Sequence, residues 1–409
     1  MADPDPRTHG DPSGAEFTPP AMSHAALFWR FLRFGATAFG GPVAQIATIR
    51  RELVDGERWI GSDRFNRLLA VMQALPGPEA HELCVHLGIR AKGRVGGVLA
   101  GLGFMLPGLV LMLALAWAYS RLPMRGTVLP AMFVGAQAAV VAIVLRAVHR
   151  IGEHILLGPR LWAAAVVAAA AALAGIGFWI VLPATGVAYA LASTRRHALA
   201  VAVAALAIGV ALLTWTGDPA ALDPSMGGRE AAPTVLALFW TGLKGGLLTF
   251  GGAYAAIPFV RDDTVGRGWI TDAQFLDGLG LSGVLPAPLV IFATFVGWVG
   301  GGLAGALAIT TGMFLPAFAF SLLFYERLES LTEHRRLQLV LAGVAAGVVG
   351  LIAVTFVDIA RAAAARTPNP VASALIFAVT LAVLYRWKSK LATPVMLAVA
   401  AVAGGVACR

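Results

Sequence analysis

Charge is scarce in this 409-residue chain, with Asp, Glu, Lys and Arg together at 13%, against about a quarter in ordinary soluble domains. Beside 58% hydrophobic residues, that scarcity excludes a soluble globular protein, and the stretch from 161 to 192 carries no charge at all. Cysteine is scarcer still. Cys84 lies within an apolar run and Cys408 near the C-terminus, which excludes a disulfide framework or a CxxC metal site. Residues 1–23 lack an apolar core and are rich in Pro and polar groups, so they read as a disordered tail rather than a cleavable signal peptide. The formal net charge of +9 does not imply nucleic acid. Its Lys and Arg sit in short loops between apolar runs, where they set orientation against a bilayer.

What the sequence has in abundance is apolar runs long enough to span hydrocarbon, for which ~20 residues suffice. They fall at 26–49, 68–91, 95–120, 127–148, 160–176, 178–193 and 197–215, and resume at 234–260, 274–297, 301–325, 337–360, 370–386 and 391–408. The fold class is therefore all-α, a polytopic integral membrane protein with about 10–13 membrane segments. Its parts read as a tail (1–23), an N-terminal repeat (24–215), a polar linker (216–233) and a C-terminal repeat (234–409).

The repeat is carried by an ordered series of motifs. FGGPVAQIA at 39–47 answers FGGAYAAIP at 250–258. RWI (58–60) with Phe65 answers GWI (268–270) with Phe275, LPGP (75–78) answers LPAP (285–288), and MLPG (105–108) answers FLPA (314–317). Trp59 to Pro76 and Trp269 to Pro286 span the same 17 positions. Two related halves are a common build of secondary transporters, with the substrate site where the repeats meet. Eight positive residues lie in the loops 50–67 and 90–94 but only Arg261 and Arg267 in their counterparts, which favours inverted repeats. Counting every apolar run as a full crossing gives parallel halves instead. Inversion needs an odd count, which follows if the FGG segments dip in and return, or if 160–193 is not two crossings.

Gly-Gly and Pro-x-Pro interrupt a helix, and at membrane depth the freed backbone is tolerated only where it is buried in protein or lines a wet cavity. A helix restarting after such a break presents free N–H groups and a positive dipole end, which suits an anion. Packing kinks are the plain alternative. Arg33 and Lys244 each lie six residues before a matched Phe, at Phe39 and Phe250. A cation from each half beside broken-helix N-termini meets the needs of a divalent anion, while snorkelling to the surface is the other reading for Arg33. The expected lining is Gly40, Gly41, Pro42, Gln45, Pro76, Gly77, Pro78, Gly251, Gly252, Tyr254, Pro286 and Pro288, with Arg33 and Lys244 compensating charge.

In PGPEAHELCVH (76–86), Glu79 and His81 are candidates for coupling or gating. Capping of the resumed helix would account for Glu79 equally well. His81 and His86 lie five apart, on different helical faces, so the HExxH zinc pattern fails its geometry. No metal, cofactor or catalytic set is expected, and the protein reads as a non-enzyme.

In this order the motifs resemble the chromate ion transporter family, whose long members hold two homologous halves in one chain. FGGPVAQIA, RRELVDGERWI, LLAVMQALPGPEAHEL and GGVLAGLGFMLPG carry the likeness in the first half, and GLSGVLPAPLVIFATFVGWVGGGLAGALAITTGMFLP in the second. The resemblance implies export of chromate from the cytoplasm across the inner membrane, giving resistance, with sulfate, another tetrahedral dianion, as competitor. Sulfate or related oxyanion permeases and anion channels remain the alternatives. The chain departs from the pattern at Gln45, where a histidine is expected, and at LPAP in place of a second PGP. Gln45 donates a hydrogen bond but does not titrate near neutral pH. The small-residue stretch 297–308 offers packing either within the chain or between two copies in a homodimer.

Overall fold

The computed structural model describes residues 17–123, 127–214, 232–250, 252–325, 334–387 and 389–408, and among them the regular structure is helical throughout. The first repeat runs α1 (His24–Ala36), α2 (Gly41–Ile49) with a π-helical continuation (Arg50–Gly56), α3 (Ser62–Ala74), α4 (Glu79–Arg121), α5 (Leu129–Ile155), α6 (Pro159–Leu173) and α7 (Phe178–Ser193). After the additional helix α8 (His197–Thr214), the second repeat runs α9 (Val235–Leu247), a 3-10 turn (Ala253–Ala255) into α10 (Ala256–Thr264), and α11 (Asp272–Val284). A 3-10 turn (Leu289–Ile291) then leads into α12 (Phe292–Phe324), followed by α13 (Arg335–Ala364), α14 (Pro370–Arg386) and α15 (Ala392–Ala407). Four segments, Glu79–Arg121, Leu129–Ile155, Leu289–Phe324 and Arg335–Ala364, are long and apolar enough to cross a bilayer. Most of the 216–233 linker lies outside the described residues.

The two longest helices are each folded back on themselves. In α4 the break falls at Lys92 and Gly93 (φ 63°, ψ −165°), and in α12 at Gly301 and Gly302 (φ 62°, ψ −154°), a conformation open essentially to glycine alone. Gly88 packs on Gly96 and Ala100, and Gly297 on Gly305. Residues eight apart would be ~12 Å apart in a straight helix, so each is a hairpin with a short arm (79–91, 292–300) and a long one (94–121, 303–324). The small residues of 297–308 are thus used at a turn inside the chain.

The FGG segment also dips in and returns. Arg33 pairs with Glu52 and Arg30 with Glu57, so α1 runs antiparallel to α2 and its π-helical continuation. Arg90 then donates from Nε to the carbonyl of Trp59 (3.2 Å) and from Nη2 to that of Phe17 (2.6 Å). Residues 17, 59 and 90 therefore lie at one level, and the chain from 17 to 90 enters and leaves on a single face. The second repeat follows suit, with Lys244 paired to Asp263 and with Pro233 and Leu238 against Gly300 and Gly301.

Counting the long arm of α4, α5 and α8 as single crossings, with α6 and α7 contributing an even number, makes the total between the FGG hairpins odd and turns the second repeat over. Packing agrees, because Gly101 lies against Phe318 while Arg94 shares a cavity with Leu322–Tyr325, so the equivalent long arms of α4 and α12 run antiparallel. The repeats are inverted.

Helices in lipid gain little from hydrophobic burial against one another, and close approach of small residues takes its place. Gly35 meets the backbone of Phe104 and Gly103 that of Phe28, and at matched positions Gly246 meets Met313 and Gly312 meets Phe239. The halves also interlock. Gly135 of α5 packs on Ala400 and Gly404 of α15, whereas Gly343 and Gly350 of α13 pack on α7 at Thr185 and Gly186 and on α6 at Ala165. Each repeat's fifth helix is held by the last two helices of the other.

Candidate functional site

The four interrupted motifs meet in crossed pairs. Gln45, on the returning arm of the first FGG hairpin and only 2% exposed, donates from Nε2 to the carbonyls of Ala38 (2.9 Å) and of Ala287 (3.1 Å), the latter in LPAP of the second repeat. Reciprocally, the N–H of Gly77 in LPGP donates to the carbonyl of Thr249 (2.9 Å), which immediately precedes the second FGG. Gly108 packs on Ala287 and Gly77 on Ala317, one relation read in both directions. The Pro-x-Pro segments 76–78 and 286–288 are buried, whereas Gly40 is exposed. Nothing lies within 4 Å of where a side chain would begin at Gly41 or at its repeat partner Gly252. The backbone there faces open space from both halves.

Helices that restart at the breaks lack side-chain caps. The residues before them are Gly40, Pro78, Gly252 and Pro288, none of which accepts a first-turn N–H with its side chain, a property shared with α3, α5, α6, α7, α13 and α15, while α1, α9 and α11 are capped by Ser23, Thr234 and Thr271. Uncapped first turns keep donors free for an anion.

The two matched cations are not brought together. Arg33 reaches Glu52 at 3.4 Å with its side chain 73% exposed, and Lys244 pairs with Asp263, whose side chain is 6% exposed. The ion pair itself is repeated, since Glu52 and Asp263 hold matched positions. Pro42 begins α2, Pro76, Pro78, Pro286 and Pro288 lie in the buried breaks, and Tyr254 packs between two hydrophobic clusters. Gly251 lies outside the described residues. Glu79 and His81 are both buried on the short arm of α4, His81 edge-on to Phe314 (5.0 Å) and Phe318 (4.7 Å) of the other repeat.

Three groups escaped the motif reading. Arg150 of α5 lies close enough for its charge to act on both Glu79 and Tyr254, one from each repeat. Asp277 of α11 is buried and accepts from Tyr119 Oη and Gln137 Nε2, each at 2.8 Å, tying the second repeat to α4 and α5. Glu82 is 1% exposed. A lone carboxylate in an apolar run was the available signal for Asp277.

A multi-pass helical membrane protein whose inverted repeats cross broken helices at their interface has the build of a secondary transporter. The chain belongs to the chromate transporter family, whose model matches residues 25–221 and 236–405. It is similar to a chromate transport protein of Pseudomonas aeruginosa, with 61% identity over 391 residues, covering 95% of this chain and 94% of that one. A chromate transport protein of Cupriavidus metallidurans is 30% identical over 414 residues, covering 97% of this chain and 96% of its own length. No solved structure matches.

Proposed function

We propose that this protein is a secondary transporter that exports chromate across the inner membrane by alternating access between its two repeats, and so confers chromate resistance. The observation that carries this reading is the reciprocal crossing of Gln45 with Ala287 and of Gly77 with Thr249, in a chain whose relatives are named for chromate transport. Two-fold crossing of discontinuous segments is suited to opening on either face in turn.

In this reading the anion lies against the uncapped first turns, with Gly40, Gly41, Pro42, Gln45, Pro76, Gly77, Pro78, Gly251, Gly252, Tyr254, Pro286 and Pro288 around it. Arg150 supplies a cation beside Glu79 and Tyr254, and Arg33 and Lys244 exchange their carboxylate partners for the oxyanion. Glu79 and His81 gate the passage.

The test is chromate flux in proteoliposomes of purified protein, with sulfate as competitor, under an imposed membrane potential and then an imposed pH gradient. Saturable flux that sulfate inhibits is expected. Sulfate flux without chromate flux would reassign the cargo to sulfate, and current far above carrier turnover would make it a channel. In cells, Arg33→Ala at normal protein level is expected to lose resistance, and unchanged resistance would remove Arg33 from the site.

A further inference from the structure

Glu82 is buried on the short arm of α4. Neither carboxyl oxygen is hydrogen-bonded among the described residues. Its Oε1 lies against the Cα of Gly77, the residue whose N–H reaches across to Thr249, so any side chain at Gly77 would collide with it. The carboxyl group thus lies directly behind the point where the repeats cross.

The titratable groups near it include Glu79, His81 and His86 of its own arm and Tyr325 at the end of α12, whose ring lies 4.4 Å from that of His86, while Arg64 and Arg90 lie close enough for their charge to act on His86. The remaining neighbours from α12 are Phe314 and Phe318 against His81, Ala317 against Gly77, and Ser321, whose Oγ approaches the backbone carbonyl of Glu82 at 3.5 Å. Among the described residues no cation pairs with its carboxyl oxygens. An ionised carboxylate buried this way is strongly unfavourable until water or a cation reaches it. On the face defined by residues 17, 59 and 90, the His86–Tyr325 pair borders a cavity of about 500 Å³ lined by Ile89, Gly93, Arg94 and Leu322–Tyr325. Tyr325 links that cavity to His86, which lies one helical turn from Glu82.

We propose that Glu82 is the proton carrier of the transport cycle. Its O–H bond breaks when the surroundings open to one face, the proton passing to water and leaving a carboxylate, and re-forms with a proton from water on the other face. Because Gly77, Ala317, Ser321 and Tyr325 come from both repeats, a relative movement of the repeats changes the surroundings of Glu82. The proposal rests on the transport reading above.

The test uses proteoliposomes of the full chain, wild type and the variants Glu82→Gln and Glu82→Asp, with chromate as the solute and an entrapped pH dye. Wild type is expected to move protons with chromate and to speed up several-fold under an imposed pH gradient. Glu82→Gln is expected to exchange chromate for chromate while ignoring the gradient, and Glu82→Asp to keep the response. Should Gln abolish exchange as well, Asp decides, since a displaced pH midpoint supports the assignment and an unmoved one overturns it. Gradient-driven flux in Glu82→Gln equal to wild type, or a wild type that moves chromate without regard to pH, overturns the proton carrier and leaves chromate transport standing. A folded wild type that moves no chromate overturns both.

Discussion

The side-chain amide of Gln45 donates to the carbonyl of Ala287 across the boundary between the two repeats, at 3.1 Å and with Gln45 almost fully buried. A second bond from the same nitrogen reaches Ala38. One residue thereby supplies donors to two carbonyls freed by helix breaks, one in each half, where no water of hydrocarbon depth would replace them.

Replacing Gln45 by Leu is expected to strand both carbonyls, at about 1–3 kcal/mol for each buried group left unsatisfied. A clear fall in the thermal midpoint of detergent-purified protein, with loss of chromate flux, should follow. Stability equal to wild type would mean that the crossing does not depend on this amide.

Arg33 and Lys244 occupy one repeat position but should behave differently in stability. The exposed Arg33–Glu52 pair is worth at most about 1 kcal/mol, whereas removing Lys244 leaves Asp263 buried, with Arg267 3.6 Å away as its remaining ion-pair partner among the described residues. Lys244→Ala is expected to cost about 3 kcal/mol, near the low end for breaking a buried pair, and exchanging the two residues, Lys244→Asp with Asp263→Lys, should recover part of it. Unfolding midpoints of Arg33→Ala, Lys244→Ala and the exchanged pair decide the matter.

Gly108 and Ala287 offer a test of the crossing by volume. A methyl group at 108 would collide with that of Ala287, so Gly108→Ala is expected to destabilise by about 1–3 kcal/mol through overpacking. Adding Ala287→Gly should relieve most of that loss. Additive losses in the double variant would refute the contact.

Asp277 links the repeats through Tyr119 and Gln137. Tyr119→Phe is expected to cost about 1.5–3 kcal/mol, as for a hydrogen bond to a charged group, and much less once Asp277 is already Asn. A double-mutant cycle on thermal stability measures the coupling, and a value near zero would deny the bond an energetic role.

The amino-acid sequence by itself determined the helical membrane class, the duplication and the places where helices break. Apolar run length, motif order and the chemistry of Gly and Pro are local properties, and local properties survive in one dimension. It also placed Arg33 and Lys244 at one repeat position and flagged Glu79 and His81 as buried ionisable groups. Only the tertiary structure decided that Gln45 meets Ala287, that Glu52 and Asp263 neutralise the matched cations, and that Glu82 has no hydrogen-bond partner among the described residues, because these depend on which segments become neighbours in space. Inversion belongs to the same class. The count of crossings turns on Gly93 and Gly302, where an apolar run that reads as one helix folds into two, and on Arg90, which holds three chain positions at one face; neither a hairpin nor a shared level leaves a mark in hydropathy.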